Sequence, residues 1–472
     1  MLLLLAGCLF IDDAEHAAFL AGLTDSGDPS ETGDTGGAPA LWHAGEALSV
    51  VELGAGFSVS NATRGFGSAV ALGWVDELGL SAAVGETGLV SGRSWLVPVS
   101  ALTLGTVLED VGVPTEPGGA DLGTAVGFAQ DEGGELHLVA GDPGTSRLVS
   151  YTTHRSGSPT EDGLLVGESS NDELGAVFVS AADGSSAGDT TVGVGAPGNG
   201  AGVAYVSAWP LRDGDELDAQ HLWGAAGRKF VPGAGYEGQK SRFGASLALG
   251  DAAGEAAVLI GAPDEPGSES SGMLGGAWLG ADVLNLDNDD GVVVPGALTH
   301  IRGANPLTHF GSAVLIADVD DDGRDDLVIG APNENPEGAL EGGAVYIFLG
   351  GDLPTSDASA ADAHVVLRGD TRGAHFGSAL AYVPQDPPLL LIGAPDWSGN
   401  SGSLGAVFVV TGGPLDSDTT MATAARIEGQ TPDGRFGAAL AANEEGALVA
   451  EPGGPASAAR FTGAAWWLSL RP

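Results

Sequence analysis

The chain is poor in cysteine, in basic residues and in long apolar runs, and each shortage excludes a type of stabilisation, partner or segment. Cys8 is the only cysteine among 472 residues, so no internal disulfide can stabilise the fold. Lysine and arginine number 17 against 63 acidic residues, for a formal net charge of −46. Nucleic acids and anionic lipid surfaces need stripes of basic side chains, so neither is expected as the main partner. Beyond the N-terminal leucines, no apolar run reaches transmembrane length.

What is abundant indicates a folded, turn-rich chain. Glycine occurs 79 times, and 43% of the residues are hydrophobic, which is enough to bury a sizeable core. The length could hold two or three ordinary domains, but an all-β assembly can use it as one unit. The acidic balance favours divalent cations, cationic partners or a salty, exposed setting.

The N-terminus resembles that of bacterial lipoproteins. Cys8 follows Leu5-Ala6-Gly7 and a leucine run, as in a lipobox, although the apolar segment is short and no basic residue precedes it. The resemblance implies that residues 1–7 are a signal peptide, that Cys8 carries lipid, and that the protein is anchored at the cell envelope, in the outer membrane or on the cell surface. Otherwise it is secreted. Residues 8–40 are an acidic tether rich in Gly, Ser and Thr, which we expect to be disordered.

From residue 41 the chain repeats one frame: a Phe-Gly or Leu-Gly pair, an apolar strand, a polar hairpin, a second apolar strand ending near Gly-Ala-Pro, and a third strand after a glycine. A frame that recurs in this way indicates a repeat architecture. The first marker of each unit is Phe66, Leu122, Leu174, Phe243, Phe310, Phe376 and Phe436.

Seven such units in order resemble the FG-GAP repeat family, which includes the N-terminal propellers of integrin α subunits. The resemblance covers residues 41–472 and implies an all-β fold, a seven-bladed β-propeller of four-stranded antiparallel blades. The third strands share an aromatic residue at a fixed position, for which we expect packing between blades. These residues are Trp95, Tyr205, Trp278, Tyr346, Phe408 and Trp466.

Blade 7 lacks a fourth strand, because its third strand ends the chain. The N-terminal part of the repeat region, residues 41–60, contains spare strand-like sequence (ALSVVELGAGFSV). We predict that this segment completes blade 7 and closes the ring.

One hairpin, ADVDDDGRDDLVIGAP, has the spacing of a calcium loop. The predicted ligands are Asp318, Asp320, Asp322, Asp326 and the backbone carbonyl of Arg324. Ca²⁺ prefers six to eight oxygens, and alternating carboxylates on a tight turn supply them. Similar FG-GAP loops of integrin α propellers bind Ca²⁺ between the first and second strands, which is where this loop falls. A weaker second metal site is Asn285, Asp287 and Asp289, in an insertion between blades and with its glycine one place late.

A partner is expected on the opposite face. The loops that join strands 2 to 3 and strands 4 to 1 share that face, and they are longest in blades 4 to 6. The residues predicted to be exposed anchors for a partner are Tyr236, Met273, Arg372 and Trp397.

The sequence therefore favours a calcium-stabilised, surface-anchored binding or adhesion module, not an enzyme, which contacts an extracellular protein or glycan and meets the membrane only through its lipid. Two alternatives stay open: a propeller-fold polysaccharide lyase or hydrolase, and a structural envelope protein. An enzyme needs converging acid, base or metal groups on the loops, and the sequence contains no such cluster.

Overall fold

The computed structural model describes residues 52–58, 65–75, 78–88, 91–101, 112–131, 134–153, 159–182, 190–198, 200–209, 215–219, 227–232, 240–267, 272–281, 292–293, 298–336, 339–399, 402–413, 419–421, 425–429, 431–453 and 463–469. The predicted signal peptide and tether lie outside the described residues. So do Cys8, Tyr236, Asn285, Asp287 and Asp289.

The described residues contain no α-helix, and seven of the sheets that they form are the seven blades of a β-propeller. The strands of blades 1 to 3, in chain order, are Phe66–Val75, Gly79–Glu86, Arg93–Pro98 and Val113–Pro114; Ala125–Gln130, Leu136–Asp142, Arg147–Thr152 and Thr160–Val166; and Val177–Ala182, Thr190–Ala196, Val203–Ala208 and Arg228–Phe230.

Blades 4 to 7 repeat this antiparallel order. Their strands are Ser246–Ala252, Glu255–Ala262, Gly276–Ala281 and Thr299–Arg302; Ala313–Ala317, Asp326–Ala331, Ala344–Phe348 and Val365–Arg368; Ala379–Val383, Leu389–Ala394, Ala406–Thr411 and Ala425–Glu428; and Leu440–Asn443, Gly446–Glu451 and Ala464–Ser469.

The fourth strand of blade 7 comes from the other end of the chain. Glu52–Ser58 pairs antiparallel with Ala464–Ser469, from Glu52 opposite Ser469 to Ser58 opposite Ala464. The first strand of every blade contacts the first strands of both neighbours, and the first strand of blade 1 contacts that of blade 7. The ring is therefore closed by a strand from near the N-terminus.

The repeated glycines allow neighbouring blades to approach. In blade 5, Gly311 N–H donates to the carbonyl of Gly330 over 2.9 Å, which ties the Phe-Gly pair to the Gly-Ala-Pro turn. A Cβ on Gly330 would lie 2.1 Å from the carbonyl oxygen of Gly377, in the Phe-Gly pair of blade 6. Only glycine fits there, so the motif marks the contact between adjacent blades.

A fifth, parallel strand covers the outer edge of four blades. In each case it comes from the connection between strands 3 and 4 of the next blade, as when Ala358–Ser359 of blade 5 pairs with Ile301 and Arg302 of blade 4. The other three are Asp215–Asp218 on blade 2, Val292–Val293 on blade 3 and Thr419–Thr420 on blade 5. Covering an edge removes a template for aggregation.

Short elements complete the structure. Ser398–Gly399 and Gly402–Ser403 form a small ribbon, and the 3₁₀ turns are Val99–Ala101, Pro143–Thr145, Gly350–Asp352 and Ala360–Asp362. Throughout the described ranges, no helix is long and apolar enough to cross a membrane.

The antiparallel order gives the propeller two faces. The face that carries the hairpins between strands 1 and 2 is the hairpin face. The face that carries the loops between strands 2 and 3 and between strands 4 and 1 is the loop face.

Candidate metal site and loop face

The acidic hairpin of blade 5 is wound around its own carboxylates. Asp321 (φ 63°) and Gly323 (φ 83°) adopt left-handed backbone conformations, which turn the chain sharply between strands 1 and 2. The N–H of Gly323 donates to Asp318 Oδ2 over 2.8 Å, and the N–H of Asp322 donates to Asp318 Oδ1 over 3.1 Å and to Asp320 Oδ1 over 3.2 Å. The turn therefore holds the two carboxylates towards the inside of the loop.

Three of the five predicted ligands meet at this hairpin. Asp318, Asp320 and Asp326 each offer a carboxylate oxygen, and these oxygens lie within 4.8 Å of one another. Asp326 is fully buried; its two oxygens accept the N–H groups of Val319 over 2.9 Å and Gly350 over 2.7 Å. Two backbone donors thus fix its position at the start of strand 2.

The electrostatics of the group favour a bound cation. Burial raises the pKa of Asp326 to about 7 against the effect of its two backbone hydrogen bonds, and the charges of Asp320 and Asp318 raise it further. Burial also raises the pKa of Asp320, with Asp322 adding to the effect. In the part of the chain that the structure describes, no Lys, Arg or His lies within ion-pair distance of the three carboxylates. An all-oxygen donor set of this kind suits a hard divalent cation.

Asp322 and Arg324 lie differently from the other predicted ligands. Asp322 is exposed, is not part of the three-carboxylate group, and accepts the N–H of Arg324 through Oδ1 over 2.9 Å. Its carboxylate therefore stabilises the turn. Arg324 is exposed on the loop.

The hairpin also contacts the neighbouring blade. Asp325 Oδ2 accepts the N–H of Asp251, in the hairpin of blade 4, over 3.0 Å. Burial raises the pKa of Asp325, and that backbone hydrogen bond opposes the shift. The acidic loop thus bridges blades 4 and 5.

On the loop face, the structure places the predicted partner residues in different environments. Met273 is 37% exposed, and Arg372 is exposed. Trp397 is only 6% exposed, with the Arg426 guanidinium 4.7 Å from its ring centroid. The expectation that Trp397 is a surface anchor is wrong, because its ring packs in the core with Phe408.

Sequence reasoning missed a buried glutamate beneath the repeated aromatics. Trp278 Nε1 donates to Glu265 over 2.9 Å, and Tyr346 Oη donates to Glu334 over 3.1 Å. Each glutamate lies two residues after the proline of Gly-Ala-Pro, which is the place that Trp397 takes in blade 6. In blades 1 and 7 the glutamate comes from the turn itself, as in the pairs Trp95–Glu86 and Trp466–Glu451.

There is a chemical reason why blade 6 has Trp397 where blades 4 and 5 have a glutamate. The third-strand aromatic of blade 6 is Phe408, which has no polar group to donate, so a buried glutamate there would be unsatisfied. The uncharged indole of Trp397 fills the space instead. Comparing the seven units with one another could have revealed this pairing.

A charged cluster joins blades 6 and 7 at the loop face. Asp396 accepts from His375 Nδ1 over 2.8 Å and from Arg435 Nε over 3.2 Å. Burial favours a higher pKa for Asp396, but the hydrogen bond from His375 and the charge of Arg435 outweigh burial and hold the pKa below its usual range. The cluster is an ion pair between repeat positions.

A second polar network is buried inside blade 2. His137 Nδ1 lies 2.6 Å from Asp162 Oδ2, and Ser150 Oγ donates to Asp162 Oδ1 over 2.6 Å. Burial favours a lower pKa for His137, but Asp162 outweighs it and the pKa is raised. All three side chains are buried on adjacent strands, where no substrate reaches them.

Comparisons with known proteins agree with this architecture. The FG-GAP repeat family matches residues 310–348, which hold the first three strands and the acidic hairpin of blade 5. Phosphatidylinositol-glycan-specific phospholipase D of Rattus norvegicus is 40% identical over 116 residues, which is 23% of this chain and 14% of that protein. Integrin alpha-5 of Xenopus laevis is 34% identical over 131 residues, 26% of this chain and 12% of that protein.

These matches are partial. The chain covers about a seventh or less of the length of these curated relatives. Among solved structures, the WD40 domain of Toxoplasma gondii coronin aligns with a TM-score of 0.47 and 8% identity, over 89% of this chain and 84% of that one.

Proposed function

We propose that this FG-GAP, integrin-α-like propeller is a non-catalytic binding or adhesion module, stabilised by Ca²⁺ and anchored at the cell envelope through lipid on Cys8. Its loop face contacts an extracellular protein or glycan. The observation that carries the proposal is the distribution of exposed apolar side chains. Three of the four large ones among the described residues, namely Met273, Leu307 and Leu340, lie on the loops of blades 4 and 5.

The Ca²⁺ part of the proposal rests on the carboxylates of blade 5. Asp318, Asp320 and Asp326 would hold the ion, which would supply the positive charge that this partly buried group lacks. The site lies on the hairpin face, so its role is structural. Asp326 bonds to Gly350, and Asp325 bonds to Asp251; an ion here would therefore stabilise contacts within blade 5 and towards blade 4.

A hydrolase is the second candidate, because a phospholipase D is among the relatives. The match covers 14% of that enzyme, which leaves most of it without a counterpart here. Within the described ranges, the three carboxylates of blade 5 form the one group of three potential metal-ligating side chains. A propeller-fold lyase or a structural envelope protein has no separate observation in its favour.

An array of extracellular proteins and glycans, probed with the labelled full chain with and without chelator, tests the proposal. We expect saturable binding to a defined target and no release of product. A parallel assay measures cleavage of acidic polysaccharides and of a glycosylphosphatidylinositol-anchored protein. Turnover of either substrate, or an array without saturable binding, would contradict the binding module.

A further inference from the structure

Apolar exposure is concentrated in one part of the loop face. Met273 is 37% exposed, Leu307 is 58% exposed and Leu340 is 49% exposed. Met273 and Leu340 lie on the loops between strands 2 and 3 of blades 4 and 5, and Leu307 lies on the loop that leads from blade 4 to blade 5. The other large exposed apolar residue in the described ranges, Trp74, is 63% exposed and lies near the hairpin face of blade 1.

Leu307 also has an unfavourable backbone conformation. Its φ of 61° lies in the left-handed region, which is unfavourable for a bulky residue. Its N–H donates to the carbonyl of Met273 over 2.6 Å, which holds the loop in this conformation.

The chain itself shows which residues this position prefers. In blade 5 the equivalent N–H is that of Gly373 (φ 69°), which donates to Leu340. In blade 6 it is that of Asp433 (φ 57°), which donates to Ser403. Glycine and aspartate tolerate a positive φ, whereas leucine does so at a cost. Leu307 is therefore both strained and exposed. Neither its backbone conformation nor packing in the core explains why this position holds a leucine.

Strained residues persist where function requires them, and a group of exposed apolar side chains on one part of a surface marks a candidate interaction site. We propose that Leu307, together with Met273 and Leu340, contacts an aliphatic or aromatic side chain of a protein partner whose flanking residues are basic. This inference rests on the proposed binding function and names the chemistry of its partner.

The basic character of the partner follows from charge. Exposed charges of both signs lie on these loops and on the adjoining ones, namely the cations Lys240, Arg242, Arg302 and Arg372 and the anions Glu341 and Asp370. The chain as a whole carries a formal net charge of −46, and the field of that charge attracts cationic surfaces and repels acidic ones.

Three labelled peptides on a Gly-Ser backbone test the proposal by fluorescence anisotropy at low ionic strength. The first has a central Phe flanked by lysines, the second has the same Phe flanked by glutamates, and the third has Ala flanked by lysines. We expect the wild-type chain to bind the Lys-Phe peptide in preference to both others, and added salt to weaken that binding.

The variant L307G installs the residue that the chain uses in blade 5. We expect it to bind the Lys-Phe peptide about tenfold more weakly or worse, while its Tm rises by at most about 2 °C, because relief of the strain is partly offset by the entropy that glycine adds to the unfolded chain. Trp74→Ser is the matched control: it removes an exposed apolar side chain near the hairpin face and should leave peptide binding unchanged.

Several outcomes would overturn the inference: equal binding of the Glu-Phe or Lys-Ala peptide, no peptide binding at all, unchanged binding by L307G, or a lower Tm for L307G. Sedimentation showing a wild-type dimer that L307G abolishes would assign the patch to a second copy of the chain instead. An array target that binds wild type and L307G equally would leave the proposed function intact and refute only this contact.

Discussion

Replacing Asp320 by asparagine separates the charge of the acidic hairpin from its shape. Asp320 is half-buried, and its Oδ1 accepts the N–H of Asp322 over 3.2 Å, a bond that an asparagine oxygen retains. The substitution therefore removes one negative charge from the group that it forms with Asp318 and Asp326.

The magnitude follows from mass action. With an affinity typical of extracellular calcium modules, about 0.1 to 1 mM, Ca²⁺ at about 1 mM stabilises the wild type by about 0.4–1.4 kcal/mol. For a propeller of roughly 400 residues, with an unfolding entropy of about 2 cal/mol/K per residue, this corresponds to about 0.5–2 °C in Tm. The buried strands hold the ring, so chelation should lower the Tm without unfolding the protein.

Removing Ca²⁺ should make the Asp320→Asn variant more stable than the wild type. Burial and Asp322 raise the pKa of Asp320, which means that its charged form is disfavoured in the fold without metal. We therefore expect Asp320→Asn to be more stable than the wild type in EDTA, and to gain less from Ca²⁺.

Thermal unfolding in EDTA and in about 1 mM Ca²⁺ measures both effects, with calorimetric titration of Ca²⁺ alongside. Asp352→Asn is the matched control, because it removes a carboxylate of the same blade that is 92% exposed and outside the group. An equal Ca²⁺ response in the wild type and in Asp320→Asn would refute the ligand assignment. Complete unfolding in EDTA would refute the estimated magnitude.

Three further predictions concern stability. Burial raises the pKa of Glu451 from 4.5 to about 7. Because Glu451 ionises at a lower pH in the unfolded chain than in the folded one, the free energy of unfolding of the wild type falls by about 3 kcal/mol as the pH rises between those two values. In Glu451→Gln, which can still accept from Trp466, denaturant unfolding at pH 5 and pH 8 should show a smaller difference, and an unchanged difference would contradict this. Deleting residues 1–60 removes the strand Glu52–Ser58 from blade 7 and should cost about 2–5 kcal/mol, at roughly 1 kcal/mol per backbone hydrogen bond; an unchanged Tm would argue against its role in closure. Trp397→Ala should lower the free energy of unfolding by about 3–5 kcal/mol in denaturant titration, because the ring is buried. Unchanged stability together with loss of partner binding would show instead that Trp397 is a surface anchor.

The sequence predicts the repeated core of this fold well. The Phe-Gly markers lie at or just before the start of the first strands, and the Gly-Ala-Pro turns end the second strands. Their glycines approach a neighbouring blade too closely to admit a Cβ, as Gly330 shows. The fifth strands could not be predicted. A pair such as Ala358–Ser359 is too short to carry an apolar period, and its partner lies in another blade.

The candidate site was predictable in part, for a similar reason. Alternating carboxylates identify the hairpin, but spacing does not show that Asp322 bonds to its own turn while Asp326 is held by Gly350, which lies in a distant connection. Nor do composition and position reveal the backbone angle of Leu307. That angle is imposed by Met273, from a different loop.

The pairing that closes blade 7 also sets a direction. Ser469 lies opposite both Glu52 and Gly446, and Gly446 directly follows the hairpin between strands 1 and 2 of that blade. Whatever precedes residue 52 therefore enters the propeller on the hairpin face, the side of Asp318 and Asp326. In a protein held through its N-terminus, the connection to the point of attachment therefore leaves from the hairpin face, opposite the loop face that carries Leu307.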